Sequence, residues 1–213
     1  MKKVLFSVLF LATLSMSAQE TEFESSVKKG RINLAGSLSM VLDDYDSENN
    51  TSRYKNINLR PTIGYVIQEN LILGAFFDFR HGQYENNYVN NNSDVTDRNT
   101  LKGYGLGIFV KKYISVVGRL FFDLGAGVSY SRNSYEYSND SNVDNYSDQY
   151  GVNITPGITY FLNKNLALQM SFGNITYSHI KRKYENQETI ANKNNLLSLN
   201  LTSNTSLGVS YFF

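Results

Sequence analysis

The chain has 213 residues, 41% of them hydrophobic, 14% aromatic and 18% charged, with a net charge of +1. The absence of cysteine excludes disulfide scaffolds, thiolate metal sites, thiol nucleophiles and an acylated N-terminal cysteine. Near-equal numbers of basic and acidic side chains leave no field to hold nucleic acid.

Met1, Lys2 and Lys3 make a short basic start, and Val4 to Met16 is an apolar run broken only by Ser and Thr. Ser17-Ala18 then offers small residues for cleavage ahead of polar Gln19-Glu20. This is the layout of a secretory signal peptide over residues 1–18, with a buried core helix as the alternative. The remaining chain is expected to leave the cytoplasm. It holds no later apolar stretch of about 18 residues, as a transmembrane helix requires. Residues 19–30 read as a short N-terminal segment ahead of the fold.

From Arg31 onward apolar side chains recur at every second position. Ile32, Leu34, Leu38, Met40 and Leu42 alternate with Asn33, Ala35, Ser37 and Ser39. Ile57, Leu59, Pro61, Ile63 and Tyr65 form the next set, then Leu71, Leu73, Ala75, Phe77 and Phe79. Tyr104 to Val110, Leu120 to Tyr130, Val152 to Tyr160, Leu166 to Phe172 and Leu199 to Phe213 repeat the pattern. The face between them is small and hydrophilic, rich in Gly, Ser, Asn and Thr. Period-2 alternation marks strands, and about eight of them suit a closed antiparallel barrel.

The connectors alternate too. Gln68-Glu69-Asn70, Ile114 to Gly118 and Asn163-Lys164-Asn165 are short. Asp43 to Arg53, Gly82 to Asn99, Arg132 to Gln149 and Ile180 to Asn195 are long and polar. A two-sheet sandwich could show the same alternation within each strand. It has no reason to place every long connector at one end, or to extend its strands to the roughly 9–11 residues of a bilayer crossing. Short turns on one side and long loops on the other is how outer-membrane barrels are built. The expected fold is therefore an all-β, transmembrane, up-and-down antiparallel barrel over residues 31–213, with the short turns and residues 19–30 in the periplasm.

Asn58 to Leu73 and Asn153 to Leu168 match at Asn, Pro, Ile, Tyr, Asn and Leu positions. Convergence on one hairpin grammar and ancestral duplication both account for this. Pro61 and Pro156 cannot donate to a ladder. They are expected near the periplasmic rim, where a bulge or water covers the loss.

The run Pro61 to Gly74 (Pro-x-x-Gly-Tyr-Val-Ile-x-x-Asn-Leu-x-Leu-Gly) resembles the small outer-membrane β-barrel family of Gram-negative bacteria, the architectural relatives of the OmpA membrane domain and OmpX. Lys111-Lys112-Tyr113 with Arg119 to Phe122 resembles that family's central hairpin. Gly208 to Phe213 resembles its terminal strand. The likeness spans nearly all of the chain after the leader and is specific for architecture, not activity. It implies residence in the cell outer membrane, contact with its lipids, and a terminal aromatic read by the barrel-insertion machinery. On that basis Leu207, Val209, Tyr211 and Phe213 are the candidate assembly signal.

Arg60, Asp78, Arg80, Lys111, Asp123, Asn153, Gln169 and Asn200 fall on the inward parity. An eight-strand barrel is just wide enough for side chains to fill, so such charges must pair. The set reads either as an internal polar network that plugs the barrel or as the lining of a narrow pore. His81 and His179 lie near outer strand ends. Ser178-His179 imitates a hydrolase pair, but neighbours on a strand point to opposite faces, which leaves rim polarity as the reading. Asp140 to Asp144 begins like a calcium loop but has Asn145 and Gly151 where Gly and Glu are needed. No enzyme activity and no cofactor are expected, and the chain is expected to be monomeric. The functional expectation is an envelope-integrity role with polar surface loops. Loop-mediated ligand binding or adhesion, a narrow pore and lipid modification are the alternatives.

Overall fold

The computed structural model describes residues 27–47, 50–90, 93–137, 145–184 and 192–213. The expected leader, residues 19–26 and the calcium-like run Asp140 to Asp144 lie outside the described residues. Eight strands, β1 (Ile32–Ser47), β2 (Asn50–Gln68), β3 (Leu71–Asn90), β4 (Ser93–Val117), β5 (Leu120–Tyr137), β6 (Asn145–Phe161), β7 (Leu166–Tyr184) and β8 (Asn192–Phe212), follow one another around a closed barrel. All pairs are antiparallel.

The side-chain faces agree with the period-2 reading. Leu38, Leu106 and Ile108 are 51%, 52% and 58% exposed on the outside of the ring. A soluble sandwich would bury such a face. A barrel in a bilayer gives it to acyl chains. Aromatic side chains sit toward both ends of this apolar belt. Tyr104, Tyr150 and Tyr177 mark the outer end, and Tyr65, Tyr211 and Phe213 the inner one. Amphipathic rings favour both membrane–water interfaces.

The long connectors are not loops for most of their length. β1 continues to Ser47 and β2 begins at Asn50, while β3 and β4 pair as far as Asn90↔Ser93. Their polar character reflects position above the membrane rather than lack of structure. Once a ladder has begun, Asn, Ser, Thr and Tyr continue it with water on both faces.

The inner turns are tight. Asn70, at φ 61, reverses the chain between β2 and β3. The turn after β4 falls at Gly118-Arg119 rather than across Ile114 to Gly118, because β4 runs on to Val117. Asn163 Oδ1 accepts hydrogen bonds from the Asn165 and Leu166 amides at 2.8 and 2.9 Å, an Asx turn that closes β6 onto β7.

Pro61 and Pro156 lie within the wall, between lipid-facing Leu59 and Ile63 and between Ile154 and Ile158, deeper than the rim position expected of them. Each has a register partner on the preceding strand, Gly36 or Leu124. The ladder to the following strand skips each of them. Opposite Pro156 the strand β7 bulges, with Gly173 at φ 70, a conformation that glycine adopts without a Cβ penalty.

Candidate functional site

The interior divides into two levels. At the periplasmic level most inward positions are apolar, with Asn33, Thr159 and Ser210 as buried polar exceptions. Val66, Ile72, Tyr113, Phe121, Phe161, Ala167 and Phe212 are buried together with Val27 from the segment before β1. The rings interlock: Phe121 to Phe161 at 5.2 Å, Phe161 to Phe212 at 5.6 Å and Tyr113 to Phe212 at 6.5 Å between centroids. Val27 is held by its carbonyl, which accepts from the Asn70 amide at 2.9 Å. This is a floor across the lumen. Sequence reasoning missed it because no strand contributes more than one or two residues to it, and β1 contributes none. The available signal was a change of the inward parity from small and polar to large and apolar beside every short turn.

Above the floor lie the inward polar residues. Arg60 donates to Asp78 through Nε at 2.5 Å and Nη2 at 3.0 Å, and its guanidinium lies 4.5 Å from the Phe76 ring centroid. Lys111 Nζ stands 3.5 Å from Asp123 Oδ1, and Thr159 Oγ1 donates to Asp123 Oδ2 at 2.7 Å. Gln169 Nε2 donates to the Tyr113 hydroxyl at 3.0 Å, tying the network to the floor. Asn153 Nδ2 reaches Thr155 Oγ1 at 3.3 Å. Arg60, Lys111, Asp123, Asn153 and Gln169 border one small cavity of about 120 Å³. Gly74 and Gly107 make room for the rings at this level. A Cβ on Gly74 would come within 2.7 Å of Phe109, and one on Gly107 within 2.4 Å of Phe76.

Two of the expected residues stand apart from that cluster. Arg80 is higher, with Nη1 3.4 Å from Asn133 Oδ1. Asn200 is on the far wall, donating to Ser198 Oγ at 2.8 Å and Asn174 Oδ1 at 3.3 Å. The eight polar residues therefore form two ion pairs with hydrogen-bonded neighbours and an upper polar tier. They do not converge on one reacting point.

The histidines are on the outside. His179 Nδ1 lies 2.7 Å from Asn195 Oδ1, whereas Ser178 is buried in the lumen and accepts from Gln149 Nε2 at 2.7 Å. Strand alternation keeps the two side chains on opposite sides of the wall. Beside them Asp148 accepts Arg132 Nε at 2.7 Å and Nη2 at 3.0 Å, and the Tyr130 hydroxyl at 2.7 Å. Among the described residues no group of three His, Asp or Glu side chains gathers to hold a metal.

The start of the first strand and the end of the last meet at the inner rim. Arg31 Nε donates to the Phe213 carbonyl at 2.9 Å, Nη1 to that of Lys164 at 3.0 Å, and Nη2 to that of Phe212. Leu207, Val209, Tyr211 and Phe213 face outward as one stripe, while Ser210 and Phe212 are buried inside.

A family model described as outer membrane protein β-barrel domain matches residues 6–213. Among solved structures, the outer membrane protein OprG from Pseudomonas aeruginosa aligns with a TM-score of 0.54 at 14% identity, covering 91% of this chain and 99% of its own. Neisserial surface protein A aligns at 0.47 with 19% identity, covering 87% and 98%. A major outer membrane protein from Thermus thermophilus aligns at 0.48 with 14% identity, covering 86% and 99%. No curated protein sequence matches this chain.

Proposed function

Because the chain belongs to the outer membrane protein β-barrel domain family and resides in the outer membrane, we propose that its work is structural: it strengthens the envelope and carries long polar extensions above the lipid. The observation that supports this best is the aromatic floor, with Phe161 and Phe212 fully buried across the lumen. A conduit needs a continuous polar path, and these rings interrupt one. The same packing speaks against the narrow-pore alternative. Catalysis has no base, nucleophile and orienting group within reach of one another among the described residues, which favours a non-enzymatic role.

The partners proposed are outer-membrane lipids along the apolar belt and, during assembly, the barrel-insertion machinery. The protein acts as a monomer and binds no nucleic acid. The test is a deletion strain complemented by two versions, wild type and one with the four outer connector tips shortened. If the role is structural, both restore resistance to detergent and to large antibiotics. If only the wild type does, loop-mediated binding is the function. Planar-bilayer recordings on the purified protein should show no discrete conductance steps. Phe213→Asp should leave protein in the periplasm, degraded or aggregated. Normal outer-membrane levels of that variant on fractionation would remove the assembly role from the terminal aromatic.

A further inference from the structure

The upper lumen holds a charge without a counter-charge, and strand register explains its placement. Ser39 is in register with Asn58, Asn58 with Arg80, Arg80 with Gly103, and Gly103 with Asn133. All five share the inward parity, so one row crosses β1 to β5. Gly103 keeps that row open. A Cβ there would collide with Asn133 Oδ1 and stand 3.3 Å from Arg80 Cβ. Arg60 pairs with Asp78 and Lys111 with Asp123, but Arg80 has no carboxylate partner among the described residues, only Asn133 Oδ1 at 3.4 Å from Nη1.

Arg80 borders a chamber of about 390 Å³ together with Ser39, Tyr54, Asn56, Asn58 and Asn174. The side-chain oxygens of Asn56 and Asn58 are buried there without hydrogen-bond partners among the described residues. The chamber thus presents one cation, which calls for an anion, and two amide oxygens, which call for donors. A simple carboxylate answers the cation and leaves both oxygens unmet. A neutral polyol answers the oxygens and leaves the guanidinium uncompensated. A buried polar group without a partner bears its full desolvation cost, so a ligand that meets all three groups is favoured over either. The size suits one small ligand, since such sites run from roughly 300 to 1,000 Å³.

We infer that the chamber binds one polyhydroxylated carboxylate of the sugar-acid class. The carboxylate accepts from the Arg80 guanidinium, and two ring hydroxyls donate to the side-chain oxygens of Asn56 and Asn58. Tyr54 lies two residues outward of Asn56 on β2 and offers an aromatic wall to the C–H face of the sugar ring. The aromatic floor closes the inner end, so the ligand enters and leaves on the cell-surface side. The chamber retains its ligand and does not pass it on. A free sugar acid and the end residue of an acidic polysaccharide share this chemistry. The inference goes beyond the structural role proposed above and does not depend on it.

The test uses protein purified from outer membranes and placed in nanodiscs of zwitterionic lipid. The amide resonances of Asn56, Asn58 and Arg80 are followed against glucuronate, glucose and acetate. Glucuronate is expected to shift all three, at concentrations at least tenfold lower than either glucose or acetate. Arg80→Gln should weaken glucuronate tenfold or more. Asn58→Ala should weaken glucuronate severalfold and have little effect on acetate, which has no hydroxyl to donate. Acetate binding as tightly as glucuronate would make this a simple anion site and overturn the proposal. So would equal binding of glucose, no response to any of the three, or indifference of glucuronate to both substitutions. A tetrasaccharide with a terminal non-reducing glucuronate separates the two sources. Binding at least as tight as the monosaccharide identifies a polysaccharide end, and weaker binding the free sugar acid. Retained folding is scored by mobility of unboiled protein on a gel. If Arg80→Gln does not fold, the ligand series and Asn58→Ala decide alone.

Discussion

The lower and upper halves of this barrel solve the same problem with opposite chemistry. Below, the lumen is filled by interlocked rings, and Arg31 binds the last strand and the β6–β7 turn to the start of the first. Above, the lumen is lined largely by Asn, Ser and Thr, Arg80 has no carboxylate partner among the described residues, and the described β1–β8 register ends at Leu38↔Leu207. Dispersion and apolar burial accumulate with every close contact, so the floor is the stable end. A polar interior gains little net from each hydrogen bond, because water offers nearly the same, so the upper end is free to stay open.

The sharpest way to break this contrast is to hollow out the floor. Phe161→Ala removes the ring between Phe121 and Phe212 and should cost about 3–5 kcal/mol. Asn58→Ala, in the upper tier, removes an acceptor that has no partner and should move stability by about 0.5 kcal/mol or less. Urea midpoints of folding into lipid vesicles measure both. Equal costs would mean that stability is not concentrated at the inner end.

The next test compares outside with inside at one height, since Leu106 pairs with Tyr130 and Ser129 with the neighbouring Gly107. Leu106→Arg places a cation against acyl chains, at about 2–4 kcal/mol near the midplane. Ser129→Arg points into the lumen below the outer opening and should be tolerated better in the same assay. Equal tolerance would reverse the assigned faces.

A smaller effect is expected at the clasp. Arg31→Gln gives up hydrogen bonds to the carbonyls of Phe213 and Lys164, worth about 1–2 kcal/mol at a partly exposed site. Amide exchange should then rise first at Ser210 to Phe212. An unchanged exchange pattern would mean that ring packing alone holds the seam.

The smallest effect belongs to the strand extensions above the apolar belt. The Asn87 amide beside Glu85 is the main cause that lowers its carboxyl below the ordinary 4.5. Desolvation opposes the shift, and Arg98 and Arg53 add to it. A lowered folded-state pKa contributes stability that is fully present above 4.5 and is lost as pH falls through the lowered value. A carbon-detected titration of Glu85 should show a midpoint below 4.5, and Glu85→Gln should reduce the acid sensitivity of the β3–β4 extension. A midpoint at or above 4.5 would remove that contribution.

The wall of the barrel was legible in the sequence because alternation runs through eight or more residues per strand, as at Leu120 to Tyr130. The inward pairs Arg60–Asp78 and Lys111–Asp123 were legible as inward charges, though not as partners, since pairing depends on register between strands. The floor was hidden for a different reason. Phe121, Phe161 and Phe212 are each ordinary strand residues, and only the closed ring brings them together. The upper extensions were hidden because a segment polar on both faces has no period to read. Arg31 gave no signal, as its acceptors are carbonyls more than a hundred residues away, in the β6–β7 turn and at Phe212 and Phe213.

The two prolines have a mechanical meaning. The ladders they interrupt, β2–β3 at Pro61 and β6–β7 at Pro156, are diametrically opposite in the ring, and the β1–β8 seam lies a quarter turn from both. Pairing resumes above and below each gap, so each proline removes ladder hydrogen bonds at one height only. Two soft spots facing each other make the wall easier to deform along one diameter than along the other, so its stiffness at that height has a direction.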